Sequence, residues 1–230
     1  MSAIKENLEQ IRNRIERAAL RAGRDPQSVR LVAVSKKIAP PLIEEAMAWG
    51  QTLFGENYMQ EAKEKISRLP AAARWHFIGH IQSKKAKDAA TLFDLVHTVD
   101  RLKLARELDK HAGLAGRILP VLVQINVSGE TQKEGVAPAG AEELLVAMGG
   151  LANLRVQGLM TMPPLLDDPE DVRPFFRTLR QLAEHFAAKG YFARSDGFEL
   201  SMGMSGDFEV AIEEGATLVR VGTALFGPRL

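Results

Sequence analysis

Residues 30–37, RLVAVSKK, form a short apolar run that ends on two lysines, and this pattern predicts a buried β-strand. Because successive side chains of a strand point to opposite faces, Lys36 shares a face with Val32 and Val34, whereas Lys37 lies on the other face. Only one of the two lysines can point where the valines point. Lys36 is therefore the candidate for an inward-facing amine.

A lysine at the C-terminal end of an inward-facing row has two interpretations. Burial lowers the pKa of an amine and exposes its nucleophilic neutral form, so Lys36 could carry a Schiff base. Alternatively, both lysines are solvated charges at the end of a strand, which is the commoner situation for charged side chains. The choice depends on the rest of the chain.

Composition limits the class of protein. The chain has 230 residues and 46% hydrophobic content, which is ample for a sizeable core. Its 30 basic and 29 acidic residues give a formal net charge of +1, so no global field favours nucleic acid or an anionic membrane. The absence of cysteine excludes disulfides and thiolate chemistry.

The N-terminal segment predicts an amphipathic helix rather than a targeting sequence. Ile4, Leu8, Ile11 and Ile15 recur at helical spacing, and no signal-peptide core interrupts the pattern. No apolar run reaches the roughly 18 residues of a membrane span. We expect a cytoplasmic protein.

Eight predicted strands alternate with helices along the chain. Parallel strands with crossover helices follow from such alternation, and eight of them in about 200 to 250 residues indicate a (β/α)8 barrel of the TIM type. We predict a single α/β domain over residues 1–230 with an extra N-terminal helix. The runner-up is a doubly wound open sheet, whose dinucleotide-binding G-x-G-x-x-G turn is replaced here by SKKIAPP. The predicted strands are 30–35, 52–54, 75–78, 93–97, 119–127, 154–160, 199–201 and 217–221.

The predicted helices have recognisable start and stop signals. Pro40 opens a helix that ends at residue 48, and Asp100 is a candidate N-cap for a helix that runs to about residue 111. In the helix predicted for residues 168–188, Pro174 marks either a kink or the true start. The other predicted helices are 58–68, 83–90, 139–148 and 207–214.

Barrels of this kind often hold phosphate in the loops after strands seven and eight. After strand seven, SMGMSGD offers the hydroxyls of Ser201 and Ser205, and Ser205 is a candidate for the N-terminus of the next helix. After strand eight, Gly222 and Thr223 give the same opportunity. The alternative is that these are ordinary loop glycines and N-caps.

Two further polar residues follow strands at the same end of the predicted barrel. Arg220 shares a face with Leu218, so its guanidinium needs a partner, which is either a carboxylate or an acceptor atom of a ligand. Asn57 ends strand two and either caps the following helix or contacts a ligand.

Other charged residues give weaker signals. His76 and His80 share a strand face, but no acidic residue follows at a usual zinc spacing, so we expect no metal site. The lysines of the SKKAK segment, such as Lys84, are expected on a solvated helix face. Lys133 lies near the barrel mouth, either as a mobile lysine that touches a ligand or as surface charge.

Six segments in register resemble the pyridoxal-phosphate homeostasis family, known as YggS in bacteria and PROSC in animals. The match covers nearly the whole chain. It departs from the family pattern at two positions. Asparagine is usual where this sequence has Lys84, and an acidic residue is frequent where it has Gly206. Without that acid, position 206 offers no side-chain contact in the phosphate loop. The segments are RLVAVSKK, FGENYMQEAKEK, WHFIGHIQSKK, INVSGETQKEG, GLMTMPP and LSMGMSGDFEVAIEEGATLVRVGTALFG.

The resemblance implies a fold-type III barrel, similar to the N-terminal domain of alanine racemase, that binds pyridoxal 5'-phosphate as an internal aldimine on Lys36. It also implies that Arg220 faces the pyridine nitrogen and that Asn57 lies close to the cofactor. The phosphate-binding residues that it implies are Ser201, Ser205, Gly222 and Thr223.

The resemblance further implies a cofactor carrier without established catalysis. An arginine beside the pyridine nitrogen disfavours protonation there and weakens the ring as an electron sink. Alanine racemase compensates with a tyrosine base from a second domain, whereas this sequence offers only Tyr58 and Tyr191 and no evident two-base arrangement. The alternatives are a low-activity amino-acid racemase and, ranked last, a cofactor-free aldolase. A monomer that passes cofactor to pyridoxal-phosphate-dependent apoenzymes, without nucleic-acid or membrane partners, is expected.

Overall fold

The computed structural model describes residues 2–130, 132–193 and 197–228. The strands of the described residues pair in chain order, each parallel to its neighbours, and the eighth pairs with the first to close a barrel. The predicted (β/α)8 barrel is therefore confirmed, and the open sheet is wrong. The strands are β1 (Arg30–Val34), β2 (Leu53–Glu56), β3 (Arg74–Phe77), β4 (Leu95–Val99), β5 (Leu119–Gln124), β6 (Leu154–Met160), β7 (Glu199–Ser201) and β8 (Leu218–Val221).

Helices surround the barrel, and two short 3-10 turns lie at Pro26–Ser28 and Ser83–Lys85. The helices are α1 (Ala3–Arg21), α2 (Pro40–Ala48), α3 (Met59–Arg68), α4 (Ala86–Leu92), α5 (Leu102–Leu114), α6 (Pro138–Met148), α7 (Pro169–Ala188), α8 (Phe208–Glu213) and α9 (Thr223–Phe226). Within the described ranges, no helix combines the length and apolar character that crossing a membrane requires.

The predicted N-terminal helix packs on the outside of the barrel against α8 and α9. Its apolar stripe is buried because the residues recur every three or four positions on one face. At its polar edge, Arg14 donates two hydrogen bonds to Glu209 on α8, at 3.0 and 2.7 Å. The extra helix therefore covers the side of the barrel next to the β7–α8 and β8–α9 connections.

The barrel interior follows the alternation of each strand. Val32, Leu95, Leu122, Met160 and Leu218 form a separate apolar cluster inside the barrel, whereas the larger core lies between the strands and the helices. Both layers are buried, so each strand carries apolar residues on two faces. The inward faces of β3, β4, β7 and β8 also carry polar side chains, which belong to the site described below.

Several predicted boundaries differ from the structure. β4 starts two residues later than predicted, and β5 ends at Gln124 because Ile125 forms only an isolated bridge with Val136. Asp100 does not cap α5, since its carboxylate accepts a 2.5 Å hydrogen bond from the Arg101 guanidinium.

Pro174 lies inside α7 and is not its start. The helix begins earlier because the Asp168 side chain accepts a 2.9 Å hydrogen bond from the Glu170 backbone N–H, and Pro169 occupies the first turn. The short helix α9 has no counterpart among the predicted elements.

Candidate functional site

A cavity of about 360 Å³ opens at the carboxyl ends of β1, β2 and β8. Its apolar wall includes Val34, Ile78 and Met204. Of the residues predicted from the sequence, the structure brings six to this cavity, namely Lys36, Asn57, Ser205, Arg220, Gly222 and Thr223. Ser201 is not among the cavity-lining residues in the described part of the chain.

The two lysines lie in the turn after β1, beyond the reach of the strand alternation, and they point in different directions. Lys36 is partly buried and lines the cavity next to Val34. Lys37 is exposed, has a left-handed backbone conformation with φ of 61°, and lies on the outside of the barrel. The structure thus leaves Lys36 as the amine that faces the cavity.

A buried ionic cluster holds the turn that carries Lys36. Lys65 on α3 donates hydrogen bonds to the Ser35 carbonyl oxygen at 2.5 Å, to Glu56 at 2.8 Å and to Glu61 at 2.6 Å. The Ser35 hydroxyl donates to the same Glu56 oxygen at 2.7 Å, and Glu61 accepts from the Lys37 backbone N–H at 2.5 Å. Three side chains from β2 and α3 therefore fix the backbone on both sides of the candidate lysine.

Glu56, one of the two carboxylates of this cluster, is fully buried. Burial raises the pKa of Glu56, and the hydrogen bond from Lys65 opposes that shift. One oxygen of Glu56 has no hydrogen-bond partner among the described residues. The ammonium of Lys65 therefore supplies most of the compensation for a negative charge on Glu56. The sequence motif FGENYMQEAKEK showed the helix but not this contact, which forms only when α3 packs on the barrel.

Arg220 is the buried cation of the cavity. It is 3% exposed and donates to the Ser201 hydroxyl at 2.7 Å and to the Thr161 carbonyl oxygen at 2.9 Å. Within the described residues, no carboxylate forms an ion pair with it. Burial lowers the pKa of Arg220 to about 10, and the charge of Asp207 opposes the shift. Its partners are therefore neutral groups, and it stays protonated at neutral pH.

Ser201 supports Arg220 from inside the barrel. The residue is fully buried, and its oxygen lies 2.7 Å from the Arg220 guanidinium and 2.8 Å from Nδ1 of His97. Because β7 directs this side chain inward, the hydroxyl lies among the barrel residues instead of on the cavity wall. Its predicted contact with phosphate finds no support in this geometry.

The turns after β7 and β8 meet at the cavity. The Thr223 hydroxyl donates to the Ser205 hydroxyl at 3.3 Å. Asp207 closes the first turn by accepting from the Met204 backbone N–H at 2.5 Å, and this residue, rather than Ser205, immediately precedes α8. Gly203 has φ of 91°, and a Cβ there would lie 2.6 Å from the Ala211 Cβ, so a glycine is required.

Asn57 does not cap the helix that follows it. α3 starts after Tyr58 without a side-chain cap hydrogen bond, and the buried Asn57 Oδ1 has no partner among the described residues. The backbone of Asn57 is closely packed, because a Cβ at Gly79 would lie 2.3 Å from its carbonyl oxygen. Of the two sequence interpretations, contact with a ligand is the one that the geometry favours.

The two histidines of WHFIGH have different environments. His76 is buried in the barrel, and His80 lies at the mouth with Asp100 and Glu134, all ligand atoms within 4.8 Å of one another. His80 Nδ1 is 3.0 Å from Glu134, and Asp100 is already paired with Arg101. These acids come from the loops after β4 and β5, so local spacing could not have shown them.

Lys133 lines a second cavity of about 300 Å³ that adjoins the first. Its ammonium forms an ion pair with Glu130 at 2.7 Å. Asn57, Ile78 and Met162 line both cavities, so the two are adjacent and share a wall. Lys84, by contrast, is exposed on the outer surface as predicted.

Comparison with known proteins shows the family. A family model described as "Alanine racemase, N-terminal domain" matches residues 1–229. A pyridoxal phosphate homeostasis protein of Aquifex aeolicus (strain VF5) is 44% identical over 97% of each chain, and one of Escherichia coli (strain K12) is 43% identical over 100% of this chain and 98% of that one. The chain belongs to the pyridoxal phosphate homeostasis protein family.

Solved structures of the family share the barrel. PipY of Synechococcus elongatus PCC7942, solved without pyridoxal phosphate, is 36% identical with a TM-score of 0.86 over 97% of this chain and 100% of PipY. PipY with pyridoxal phosphate bound has a TM-score of 0.83 at the same identity and coverage. Alanine racemase of Corynebacterium glutamicum has a TM-score of 0.69 at 17% identity, covering 99% of this chain and 61% of that enzyme, and shares the fold.

Proposed function

We propose that this chain binds pyridoxal 5'-phosphate as a Schiff base on Lys36 and takes part in the homeostasis of that cofactor. The observation that carries the proposal is a single cavity that combines the Lys36 amine, the buried Arg220 guanidinium and the paired hydroxyls of Ser205 and Thr223. The name of the family and the pyridoxal phosphate bound to PipY support the same ligand.

The chemistry of the cavity fits each end of this cofactor. A primary amine suits the aldehyde carbon, and two hydroxyl-bearing turns with Gly206 and Gly222 on the wall suit a phosphate, because glycine lets the backbone approach an anion. The amide oxygen of Asn57, which no described residue pairs with, indicates a polar group of a ligand nearby. The volume of about 360 Å³ lies in the range typical of small-molecule sites.

The same residues suit a carrier better than a catalyst. When bound, the cofactor supplies an electron sink whose strength depends on protonation of its ring nitrogen. Arg220, with a pKa of about 10, remains a cation at neutral pH and disfavours a second proton beside it. Among the described residues that line the cavity there is no tyrosine, since Tyr58 points to solvent and Tyr191 donates to Glu142 at 2.8 Å.

The proposed role includes transfer of the cofactor to pyridoxal-phosphate-dependent apoenzymes by a cytoplasmic monomer. The exposed mouth of the cavity supports reversible loading, because Thr223 and Gly206 are exposed beside the hydroxyl turns. The small net charge offers no general attraction to nucleic acid or membranes.

Equilibrium binding tests this proposal. The protein is freed of cofactor by dialysis against hydroxylamine, and pyridoxal phosphate is titrated while visible absorption is recorded. Wild type and the control Lys37→Ala are expected to develop the same saturable Schiff-base band, whereas Lys36→Ala develops none. Equal bands in both variants, or no saturable band in wild type, would contradict the proposal.

A second candidate, a low-activity amino-acid racemase, is favoured by the adjacent second cavity. This cavity places Lys133 and His80 beside the Lys36 pocket and leaves room of about 300 Å³ for a small substrate. Its test is solvent deuterium exchange at the α-carbon of a panel of amino acids. Exchange that depends on added cofactor and on Lys36 would establish it, and no exchange across the panel would exclude it.

A further inference from the structure

A chain of hydrogen bonds crosses the barrel interior from Arg220 to His76. The Arg220 guanidinium lies 2.7 Å from Ser201 Oγ, which lies 2.8 Å from His97 Nδ1, and His97 Nε2 lies 2.9 Å from His76 Nδ1. The four residues come from β8, β7, β4 and β3 and are between 0% and 6% exposed. The known features of the cavity leave the two histidines without a role.

All hydrogen-bond donors in this series of residues point in the same direction, from Arg220 towards His76. A guanidinium can only donate, so Ser201 Oγ accepts from Arg220. The serine proton then goes to His97 Nδ1, its other neighbour among the described residues, and His97 carries its own proton on Nε2, facing His76 Nδ1. In the opposite arrangement the buried Ser201 proton would have no acceptor, at a cost of about 1–3 kcal/mol.

Both imidazoles are neutral in this arrangement. Burial lowers the pKa of His97 well below its usual value, and the positive charges of Arg220 and Arg30 act in the same direction. Burial and Arg30 likewise lower the pKa of His76 to about 3. Arg30 forms an ion pair with Glu199 at 2.7 Å, whereas Arg220 forms no ion pair with a carboxylate of the described residues and feels the charge of Asp207 only without direct contact.

We propose that His97, supported by His76, is a positioning residue that fixes Arg220 through Ser201 without placing a carboxylate in an ion pair with it, so that the guanidinium can serve a ring-nitrogen acceptor in the cavity. The inference rests on the proposed cofactor only for the identity of that acceptor. A carboxylate in place of Ser201 would also hold the arginine, but it would neutralise the charge. A series of neutral hydrogen-bonding groups fixes the orientation of Arg220 and leaves its positive charge in place. This suits a site that must restrain protonation of the ligand ring.

Nitrogen-15 NMR of the histidine rings tests the direction of these hydrogen bonds in the cofactor-free, full-length protein. The His97 ring is expected to show a protonated Nε2 and an unprotonated Nδ1, and to remain neutral at neutral pH. A variant Ser201→Ala assigns the signal, because only the His97 Nδ1 shift responds strongly to loss of the hydroxyl. A protonated Nδ1, or a positively charged His97 ring at neutral pH, would overturn the proposal.

A pair of variants tests the effect on the cavity. His97→Leu leaves the Ser201 proton unpaired, and we expect pyridoxal phosphate affinity to fall roughly tenfold, with a shifted absorption band. His97→Gln offers an acceptor and a donor on one amide and is expected to restore both affinity and band. Equal affinity and an unchanged band in folded His97→Leu would contradict a positioning role.

The two measurements separate the inference from the proposed function. If wild-type protein fails to bind pyridoxal phosphate, the proposed function is wrong, while the ring tautomer in the cofactor-free protein still decides whether the directional chain exists. If His97→Leu does not fold, the tautomer measurement on wild type again decides. A fall in thermal stability that is equal in the Leu and Gln variants, without a difference in cofactor affinity, would show a structural role alone.

Discussion

Lys65 donates a 2.5 Å hydrogen bond to the backbone carbonyl oxygen of Ser35, the residue immediately before Lys36. The ammonium is 5% exposed and also pairs with Glu56, which is fully buried. A helix outside the barrel thereby sets the position of an amine that points into it. Lys65 is a positioning residue for Lys36 and also the counter-ion of a buried acid.

Loss of this ammonium should destabilise the protein strongly. In Lys65→Met the buried Glu56 loses its compensating charge, and breaking such a pair costs about 3–5 kcal/mol. The matched control is Lys63→Met on the same helix, because Lys63 pairs with Asp88 at the surface and such pairs contribute about 0–1 kcal/mol. Urea unfolding of both variants measures the difference. A Lys65→Met variant as stable as Lys63→Met would refute the role of Lys65 as the counter-ion of Glu56.

The buried histidines should make stability depend on pH. Because the folded-state pKa values of His76 and His97 are depressed, the unfolded chain takes up these protons first as pH falls below about 6.5. Each histidine then removes about 1.4 kcal/mol of stability per pH unit until its folded pKa is reached, about 3 for His76.

A variant isolates this contribution from that of the carboxylates. Urea unfolding at about pH 7.5 and about pH 5.5 should show that His97→Gln loses about 1 kcal/mol less stability than wild type over this interval. Identical losses in the two proteins would mean that His97 takes up its proton in the folded state as readily as in the unfolded one.

Gly203 should be required for the turn that carries Ser205. An alanine there would place its Cβ 2.6 Å from the Ala211 Cβ at a φ of 91°, so we expect a loss of about 1–3 kcal/mol and weaker phosphate binding. Gly206→Ala in the same turn meets no atom within 4 Å and should change stability by less than about 0.5 kcal/mol. Thermal unfolding compares the two, and equal melting temperatures would contradict the steric requirement.

The barrel could be predicted because its signals are local. Alternation of apolar strands with amphipathic helices predicts the (β/α)8 order. The two-residue period of a strand predicted Lys36 rather than Lys37 as the inward-facing lysine, but both lie in the turn after β1, so the period does not explain why Lys36 lines the cavity. The loops after β7 and β8 could be assigned to the site because that fold places them there. The predicted helix and strand boundaries were less accurate where a side chain has another partner nearby. Asp100, for example, pairs with Arg101 instead of capping α5.

The supporting contacts could not be predicted because they join distant segments. Ser201 and His97 are 104 residues apart, and no local pattern shows that their side chains meet inside the barrel. The glutamate and lysine at positions 61 and 65 are at helical i, i+4 spacing, but the contact of Lys65 with Ser35 depends on how α3 packs. The contact of Ser201 with Arg220 likewise joins two strands and has no local sequence signal, and its predicted contact with phosphate stays a prediction.

Reductive trapping tests the central claim most directly. The purified protein is loaded with pyridoxal phosphate, reduced with borohydride and digested, and the modified lysine is located by mass spectrometry. The account predicts one predominant pyridoxyl-modified site at Lys36, unchanged in Lys37→Ala and lost in Lys36→Ala. Modification centred on Lys37, Lys65 or Lys133, or an undiminished adduct in Lys36→Ala, would contradict it.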